Sequence, residues 1–473
     1  MSNALNPIIE QSFEWKSRTT FILVMIGATL SLKDFLVFPV MAAENGGGAF
    51  VLLYVLFLFL IGFPLIISEL LIGRFSHGHS LSAFKDLSPI LGCSNHWQWI
   101  IRGSILASVL LLSIYCVIAG WSLSFVVKMA IGLFENTSSQ EISAELFSFQ
   151  HDPERMMLWY TLFILLLLTI SAQGIKLGVE RIVSFLVPLM VVLLFVGLSY
   201  AIYFGDYFSS IQYFLMPDFS QIDLDVVVLA MERSFFTLSV GLGMFFIFGS
   251  KMPSNLPVMY SVSIIIVIDL LFSIVTGLAI NALVFSSSGS SEIESEVAFS
   301  VLPLIFSSLP MGRWFGSLFY VLLTIAAITT AIALLEVFVE YIRDKFKLSR
   351  IRSSAVASVI IWLIGVVAIL SYTIWEDSSL TLELYFAGDA YRLVDSASFQ
   401  DVIIYITSHL LQPAIAFFMV IFMGWVIDKE TLYNLLYKPS RNVFDLFYFV
   451  VRFIAPTLVL IVSLSSLGVL NYA

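Results

Sequence analysis

The sequence predicts an all-α membrane protein, and three observations support this fold class. Hydrophobic residues make up 59% of the 473 residues and charged residues only 12%, with a mean hydropathy of +0.99. A soluble protein carries about 25% charged residues. Apolar runs of about 20 residues, each long enough to cross a bilayer as a helix, recur along the whole chain. Apolar and polar residues do not alternate in segments of about ten, as they would in a transmembrane β-barrel.

Eleven apolar runs are predicted to span the membrane, within a single transmembrane domain that covers residues 1–473. The predicted spans are 19–42, 48–73, 102–134, 157–173, 178–203, 225–250, 257–285, 313–342, 353–373, 401–427 and 444–470. The longest polar insertions between them are 74–101, 135–156 and 374–400. None of these insertions indicates an appended soluble domain. The first run is not a cleavable signal peptide, because it carries two charges and lacks the signal layout.

The positive residues predict the orientation of the chain. With the N-terminus inside the cell, the cytoplasmic loops hold most of the lysines and arginines. The outer loops then keep only Arg155, Arg313 and Arg392. Because cytoplasmic loops are enriched in lysine and arginine, this asymmetry predicts an N-in, C-out topology.

Charge and glycine interrupt the first span in an unusual way. The stretch Gly27–Phe50 places Lys33 and Asp34 side by side inside an apolar run, and it ends at three glycines, Gly46–Gly48. A charged residue inside a membrane span is costly, so it usually faces a cavity or a partner and marks the path of a ligand or ion. The first span therefore carries the leading candidate for a binding site.

The sixth span is interrupted as well. Ser234, Thr237 and Ser239 lie close to Gly241 and Gly243 within an otherwise apolar segment. Glycine weakens a helix, and a broken helix leaves bare carbonyls and amides that coordinate ions and carboxylates. Interruptions in the first and sixth spans predict two inverted five-helix repeats around a midplane site. The repeats would cover 19–203 and 225–427, and an eleventh helix would cover 444–470. Close packing of small residues is the alternative explanation for the sixth span alone.

Several of these motifs resemble the neurotransmitter:sodium symporter family. Phe35–Pro39 and Ala42–Phe50 resemble the first helix of that family, and Ser234–Gly243 resembles the sixth. Ile328–Ile332 resembles the eighth helix, and Gly178–Pro188 resembles the fifth. The resemblance extends over essentially the whole chain, and eleven helices are typical of a bacterial member. It implies the inverted-repeat transporter fold with broken helices 1 and 6, and an amino acid as substrate.

The resemblance also implies positions for the ion and substrate sites. The second sodium site of the family matches the carbonyls of Gly27, Leu30 and Ala326 and the hydroxyls of Thr329 and Thr330. Carbonyl and hydroxyl oxygens suit a hard cation such as Na⁺. The alternative for the two threonines is hydrogen bonding between helices. The positions that match the substrate site are Ala28, Thr29, Leu32, Lys33, Leu111, Tyr115, Phe236, Thr237, Ser239, Leu242, Thr330 and Leu334.

Two of these positions have roles of their own in the family. Tyr115 matches the tyrosine whose hydroxyl meets the substrate carboxylate, and Phe236 matches the aromatic lid over the pocket. Leu111, Leu242 and Leu334 would form an apolar wall without a fixed charge. Such a wall fits an aliphatic or small aromatic side chain of the substrate.

The first sodium site differs from the family pattern. Asp34 replaces the ion-binding asparagine, Asp269 replaces its partner on the seventh helix, and Thr237 is retained. Arg233 replaces the glutamine beside the family's chloride site, next to matching residues Tyr54 and Ser273. The site region thus has two positive residues, Lys33 and Arg233, and two negative residues, Asp34 and Asp269. Their charges sum to zero without a bound ion.

These four charges predict that the protein carries its own cation at the first ion site. An unpaired charge in a low-dielectric interior costs several kcal/mol, so each charge needs a partner. We expect the Lys33 ammonium to replace the first sodium ion, paired with Asp34 or Asp269, and Arg233 to pair with Asp269. A static network that only holds the helices together is the alternative.

The sequence predicts a secondary transporter for a small neutral amino acid that works by alternating access with one Na⁺ at the second site. A sodium-independent carrier, driven by protons or exchange, is the first alternative, and an amino-acid-sensing transceptor is another. No nucleophile–base constellation points to an enzyme, and neither an organic cofactor nor a nucleic-acid partner is expected. The expected location is a bacterial inner membrane, in contact with the lipid bilayer. The oligomeric state stays open.

Overall fold

The computed structural model describes residues 15–75, 94–135, 137–252, 256–287, 297–375, 380–386 and 389–468. Most of these residues are helical. The elements in chain order are α1 (Arg18–Thr29), α2 (Leu32–Leu36), α3 (Phe38–Glu44), α4 (Gly48–Arg74), α5 (Gln98–Ala130), α6 (Ser139–Gln150), α7 (Pro153–Ala172), α8 (Ile175–Phe204), α9 (Tyr207–Leu215), α10 (Leu224–Thr237), α11 (Met244–Ser250), α12 (Val258–Ser287), α13 (Val297–Ser308), α14 (Gly312–Phe346), α15 (Arg350–Tyr372), β1 (Leu380–Phe386), β2 (Asp389–Ala397), α16 (Phe399–Val426), α17 (Lys429–Leu435) and α18 (Arg441–Ser466).

Nine helices in the described part of the chain are long and apolar enough to cross a membrane. They are α4, α5, α7, α8, α12, α14, α15, α16 and α18. These helices correspond to nine of the predicted spans. The two remaining predicted spans, the first and the sixth, are the ones that the sequence predicts to be broken, and each forms shorter helices instead.

The first predicted span is interrupted after Thr29. Leu30 adopts an extended conformation with ψ of 95°, which ends α1. The carbonyl of Leu30 accepts a hydrogen bond from the Thr330 hydroxyl at 2.9 Å, and the backbone N–H of Leu32 donates to the Tyr115 hydroxyl at 3.4 Å. Side chains of α5 and α14 therefore satisfy main-chain groups that the break exposes.

The sixth predicted span is interrupted between α10 and α11. Ser239, Gly241 and Gly243 have φ values of 50°, 86° and 83°, in the left-handed region that glycine adopts without steric cost. The backbone N–H of Gly241 donates to Glu69 Oε2 at 2.9 Å, and the Gln412 side chain donates to the carbonyl of Val240 at 2.9 Å. The two predicted breaks are therefore present in the structure, and both are held by buried polar side chains.

The segments between the long helices contain more structure than the sequence analysis expected. The polar insertion 135–156 includes α6, and α13 precedes α14. The polar insertion 374–400 contains β1 and β2, which pair as an antiparallel hairpin. The predicted all-α architecture thus holds for the membrane part, with a two-stranded hairpin added outside it.

Packing in the centre places α14 against α5 and against the broken helices. α14 contacts α5 along its length, and it also contacts α1 and α2. The residues of α14 from Leu322 to Leu335 are all buried. Because α14 is enclosed by protein rather than lipid, its hydroxyls at Thr329 and Thr330 face other helices.

Candidate substrate and ion site

Asp34 connects the two broken helices. Its buried carboxylate accepts hydrogen bonds at Oδ2 from the backbone N–H and the hydroxyl of Ser31, at 2.8 and 2.9 Å. At Oδ1 it accepts hydrogen bonds from the Thr237 hydroxyl at 2.9 Å and from Arg233 Nη2 at 3.0 Å. One carboxylate thus fixes the main chain after the first break and the end of α10 before the second.

Arg233 forms a buried ion pair with Asp34, and Asp269 also lies close to it. The sequence analysis predicted a pair with Asp269 and did not predict the one with Asp34. The guanidinium also lies over the Phe38 ring, 6.0 Å from the ring centroid. The ion pair with Asp34 has a geometric reason, because Thr237 and Arg233 lie one helical turn apart on α10 and both face the Asp34 carboxylate.

Asp269 lies in the same region, beside Thr29. Its side chain is fully buried, close to Thr29, Asp34 and Arg233. Neither carboxylate oxygen has a hydrogen-bond partner among the described residues. If both carboxyl groups are ionised, Arg233, Asp34 and Asp269 together carry one positive and two negative charges, an excess of one negative charge.

Two hydroxyls, those of Tyr54 and Ser273, mark the chloride-like position. Tyr54 and Ser273 are buried, and neither hydroxyl oxygen forms a hydrogen bond with any residue that the structure describes. Tyr54 lies near Asp269, Asp34 and Arg233. Two carboxylates beside this position disfavour a bound chloride, because like charges repel strongly in a low dielectric.

Lys33 belongs to α2, but its side chain lies outside the described residues. The pairing predicted for its ammonium group therefore stays a prediction. Its main-chain position is defined, since it lies between Leu32 and Asp34 in the helix that follows the first break.

The five residues predicted to form the second sodium site lie together. Thr330 donates to the carbonyl of Leu30, and the Thr329 hydroxyl donates to the carbonyl of Ala326 at 3.0 Å. A Cβ atom on Gly27 would lie 3.2 Å from Cβ of Thr329, so α1 and α14 approach closely there. All five residues are buried. Oxygen atoms of α14 therefore lie close to oxygen atoms of the first break. None of these five residues has a charged side chain.

The predicted substrate residues surround the same two breaks. Ala28, Thr29 and Leu32 flank the first break, and Ser239 and Leu242 lie in the second. Tyr115 connects the group, because its hydroxyl accepts from the Leu32 N–H and lies beside Thr330. The remaining members lie on α5, α10 and α14: Leu111, Phe236, Thr237 and Leu334.

Comparison with known families identifies the chain at this point. The model of the sodium:neurotransmitter symporter family matches residues 13–145 and 148–472. The chain belongs to the sodium:neurotransmitter symporter family. The members of this family are transporters rather than enzymes, and the long apolar helices make this chain a multi-pass integral membrane protein.

Relatives and a solved structure agree with this assignment. The chain is 27% identical to YhdH of Bacillus subtilis, named as an uncharacterized sodium-dependent transporter, over 98% of this chain and 99% of YhdH. It is 26% identical to a sodium-dependent transporter of Haemophilus influenzae, over 97% and 99% of the two chains. The crystal structure of MhsT in complex with L-phenylalanine superposes with a TM-score of 0.82 at 30% identity, over 96% of this chain and 99% of MhsT. The transporter fold with broken helices is therefore established.

The sequence analysis did not predict the roles of some residues that support the two breaks. Ser31 supplies two of the hydrogen bonds to Asp34, and Gln412 bonds the main chain of the second break. A polar side chain within an apolar span was the available signal for Gln412. Two buried glutamates satisfy donors near these helices, since Glu69 accepts from the backbone N–H of Gly241 and Glu336 accepts from the Ser171 hydroxyl at 2.7 Å.

Proposed function

We propose that the protein is a secondary active transporter that carries a small neutral amino acid with an apolar side chain across the membrane by alternating access. The two adjoining breaks carry this proposal, because they provide main-chain groups for the α-carboxylate and α-amino groups of a substrate. Tyr115 would meet the carboxylate. Leu111, Leu242 and Leu334 would contact the side chain, and the L-phenylalanine bound by MhsT is of this chemical class.

We propose one sodium ion at the second site. Its ligands would be the carbonyls of Gly27, Leu30 and Ala326 and the hydroxyls of Thr329 and Thr330. The sodium-dependent relatives support this assignment, as does the convergence of neutral oxygens around the first break. A hard cation prefers such oxygen ligands. We also retain the N-in, C-out topology, the two five-helix repeats and a bacterial inner membrane as parts of this proposal.

We propose that Lys33 replaces the first sodium ion. The excess negative charge of the Asp34, Asp269 and Arg233 group supports this, because a buried carboxylate such as Asp269 requires a compensating cation. The Lys33 ammonium is one charge-balancing cation. A proton on Asp269 is the second candidate, and it would make the carrier proton-coupled.

Sodium dependence tests the second site. We expect purified wild-type protein to bind a neutral apolar amino acid more tightly in sodium than in potassium. Thr330→Val should weaken sodium binding roughly tenfold to a hundredfold, because it removes a ligand to a charged ion. The measurement is a sodium titration of amino-acid binding at two pH values. Thr324→Val is the matched control, since its hydroxyl on α14 donates to the carbonyl of Tyr320 at 2.8 Å.

The outcomes separate the competing functions. Binding that does not respond to sodium but responds to pH would replace the sodium proposal with proton coupling. Binding without uptake into proteoliposomes would indicate a transceptor. A failure to bind any amino acid in either salt would contradict the substrate class.

Replacement of Lys33 by alanine tests the first site. We expect Lys33→Ala to change the number of sodium ions that couple to substrate binding from one to two, since the vacated position needs a cation. The measurement is the Hill coefficient of the sodium titration, with Lys16→Ala outside the site as the control. Unchanged substrate affinity together with unchanged ion dependence would contradict the role of Lys33.

A further inference from the structure

A narrow apolar cleft lies between α8, α12, α13 and α14, away from the central site. It takes in about 530 Å³ of space free of protein atoms, part of which is open to the outside of the protein. Leu194 and Gly197 line it from α8, Ile280 from α12, and Leu302 and Leu322 from α13 and α14. None of the residues that line the cleft is charged.

The cleft is continuous with the lipid-facing surface. Val196, Tyr200 and Phe315 line both the cleft and a wider open groove on the outside of α8. Phe195 and Tyr203 in that groove are 58% and 81% exposed. Among the nine long helices, α8 has the smallest share of its apolar window buried by protein. Because an apolar exposed face of a transmembrane helix contacts lipid, hydrocarbon chains surround the mouth of the cleft.

The chemistry of the walls selects a neutral, apolar occupant. Tyr200 stacks on Phe315 with ring centroids 4.0 Å apart, and its hydroxyl donates to the carbonyl of Pro310 at 3.0 Å. This hydroxyl is therefore already satisfied at the mouth. The Thr276 hydroxyl is buried in the cleft and has no partner among the described residues. A charged group would have no counter-ion on these walls and would be strongly disfavoured there.

The walls also leave room for a chain. A Cβ atom on Gly197, which lines the cleft, would meet no atom within 4 Å, so this position adjoins open space. We propose that the cleft binds one acyl chain of a phospholipid from the surrounding bilayer. The headgroup stays at the membrane surface, because no charged residue lines the cleft to hold it.

An acyl chain at this place would contact helices that carry the ion sites. Leu322 lies one helical turn before Ala326 on α14, and Thr276 lies about two turns after Asp269 on α12. The bound chain fills the gap between these two helices and α8. It therefore supports their packing at the outer ends of the helices, beyond the substrate.

Photolabelling in nanodiscs tests the site. The probe is phosphatidylcholine with a diazirine on its acyl chain, and labelled peptides of the full-length protein are mapped. We expect labels on the cleft segments of α8 and α14.

Gly197→Leu should lower this labelling about tenfold, because the added side chain occupies the cleft. Leu194→Ala should raise it, because it widens the cleft. Phe185→Leu, on the exposed face of α8 outside the cleft, is the control and should leave it unchanged.

Three results would overturn the proposal. Uniform labelling of the lipid-facing surface that neither Gly197→Leu nor Leu194→Ala alters would show contact with bulk lipid only. Loss of labelling in Thr276→Val would point to a polar ligand, since an acyl chain does not bond to that hydroxyl. Equal labelling in Gly197→Leu and Phe185→Leu proteins with wild-type unfolding temperatures would exclude the cleft itself. This readout needs neither sodium nor substrate, so it is independent of the proposed transport.

Discussion

Asp34→Asn is expected to abolish transport and to lower the free energy of unfolding by about 3–5 kcal/mol. The substitution keeps the shape of the side chain but removes its charge. Arg233 then loses the carboxylate with which it forms a buried ion pair, while its own side chain is only 4% exposed. Removal of one partner from a buried pair is costly because the remaining charge stays in a low-dielectric interior.

The effect on transport has a separate physical cause. Asp34 accepts from the backbone N–H of Ser31, and this bond holds the main chain directly after the first break. A neutral amide oxygen is a weaker acceptor than a carboxylate. The Leu30–Leu32 segment would then lose the geometry that presents its main-chain groups to the ion and the substrate.

The measurements are thermal unfolding in detergent and amino-acid uptake into proteoliposomes. The double variant Asp34→Asn with Arg233→Gln removes both charges, and it should recover most of the lost stability. Asp225→Asn, at an exposed position in the first turn of α10, is the control and should behave as wild type. If the double variant is no more stable than Asp34→Asn, the lost stability comes from the hydrogen bonds of Asp34 to Ser31 and Thr237. It would then not come from the unpaired charge of Arg233.

The architecture could be predicted from the sequence because a membrane-spanning helix must have a certain length and hydropathy. The breaks were also predictable. Lys33 and Asp34 interrupt the first apolar run, and Gly241 and Gly243 interrupt the sixth. In both cases the local chemistry is incompatible with an ordinary lipid-facing helix.

The pairing of the buried charges was not predictable. Asp34 and Arg233 are 199 residues apart in the chain, and composition shows only that each needs a partner. The ion pair with Asp34 depends on how α10 is rotated against the first break. The direction of a side chain across a helix interface follows from tertiary packing, which local sequence patterns do not determine.

The hairpin was missed for a different reason. Leu380–Phe386 alternates apolar and polar residues at its start, which is a strand pattern, and Gly388–Asp389 is a turn signal. A search for runs of about 20 apolar residues passes over a strand of seven residues. The information was present in the sequence at a shorter length scale.

A second buried charge cluster joins four helices near the predicted cytoplasmic ends of α7, α11, α14 and α15. Glu340 on α14 accepts from Lys251 at 3.0 Å, Arg350 at 3.1 Å and Arg343 at 3.3 Å. Arg350 also pairs with Glu336, and it donates to the carbonyl of Ser171 at 2.9 Å. Lys251 directly follows α11, so this cluster connects the second half of the broken sixth span to α14.

Glu340→Gln is therefore expected to lower the free energy of unfolding by about 3–5 kcal/mol, because the side chain of Lys251 is 4% exposed and loses its carboxylate. The measurement is thermal unfolding together with sodium-dependent amino-acid binding. The matched control is Glu430→Gln. Glu430 pairs with Arg441 at 2.9 Å, but both side chains are more than half exposed, so water replaces the lost interaction and no measurable change is expected.

The same variant tests whether the cluster also positions the ion site. α14 carries Thr329 and Thr330, and Glu340 lies about three turns further along the same helix. If the ion pair from Lys251 to Glu340 holds α11 in register with α14, Glu340→Gln should weaken sodium binding as well as stability. Lys251→Met combined with Glu340→Gln should then regain stability but not sodium affinity, because the buried charge is gone while the connection between the helices is still missing. Wild-type sodium affinity in both variants would limit the cluster to a structural role.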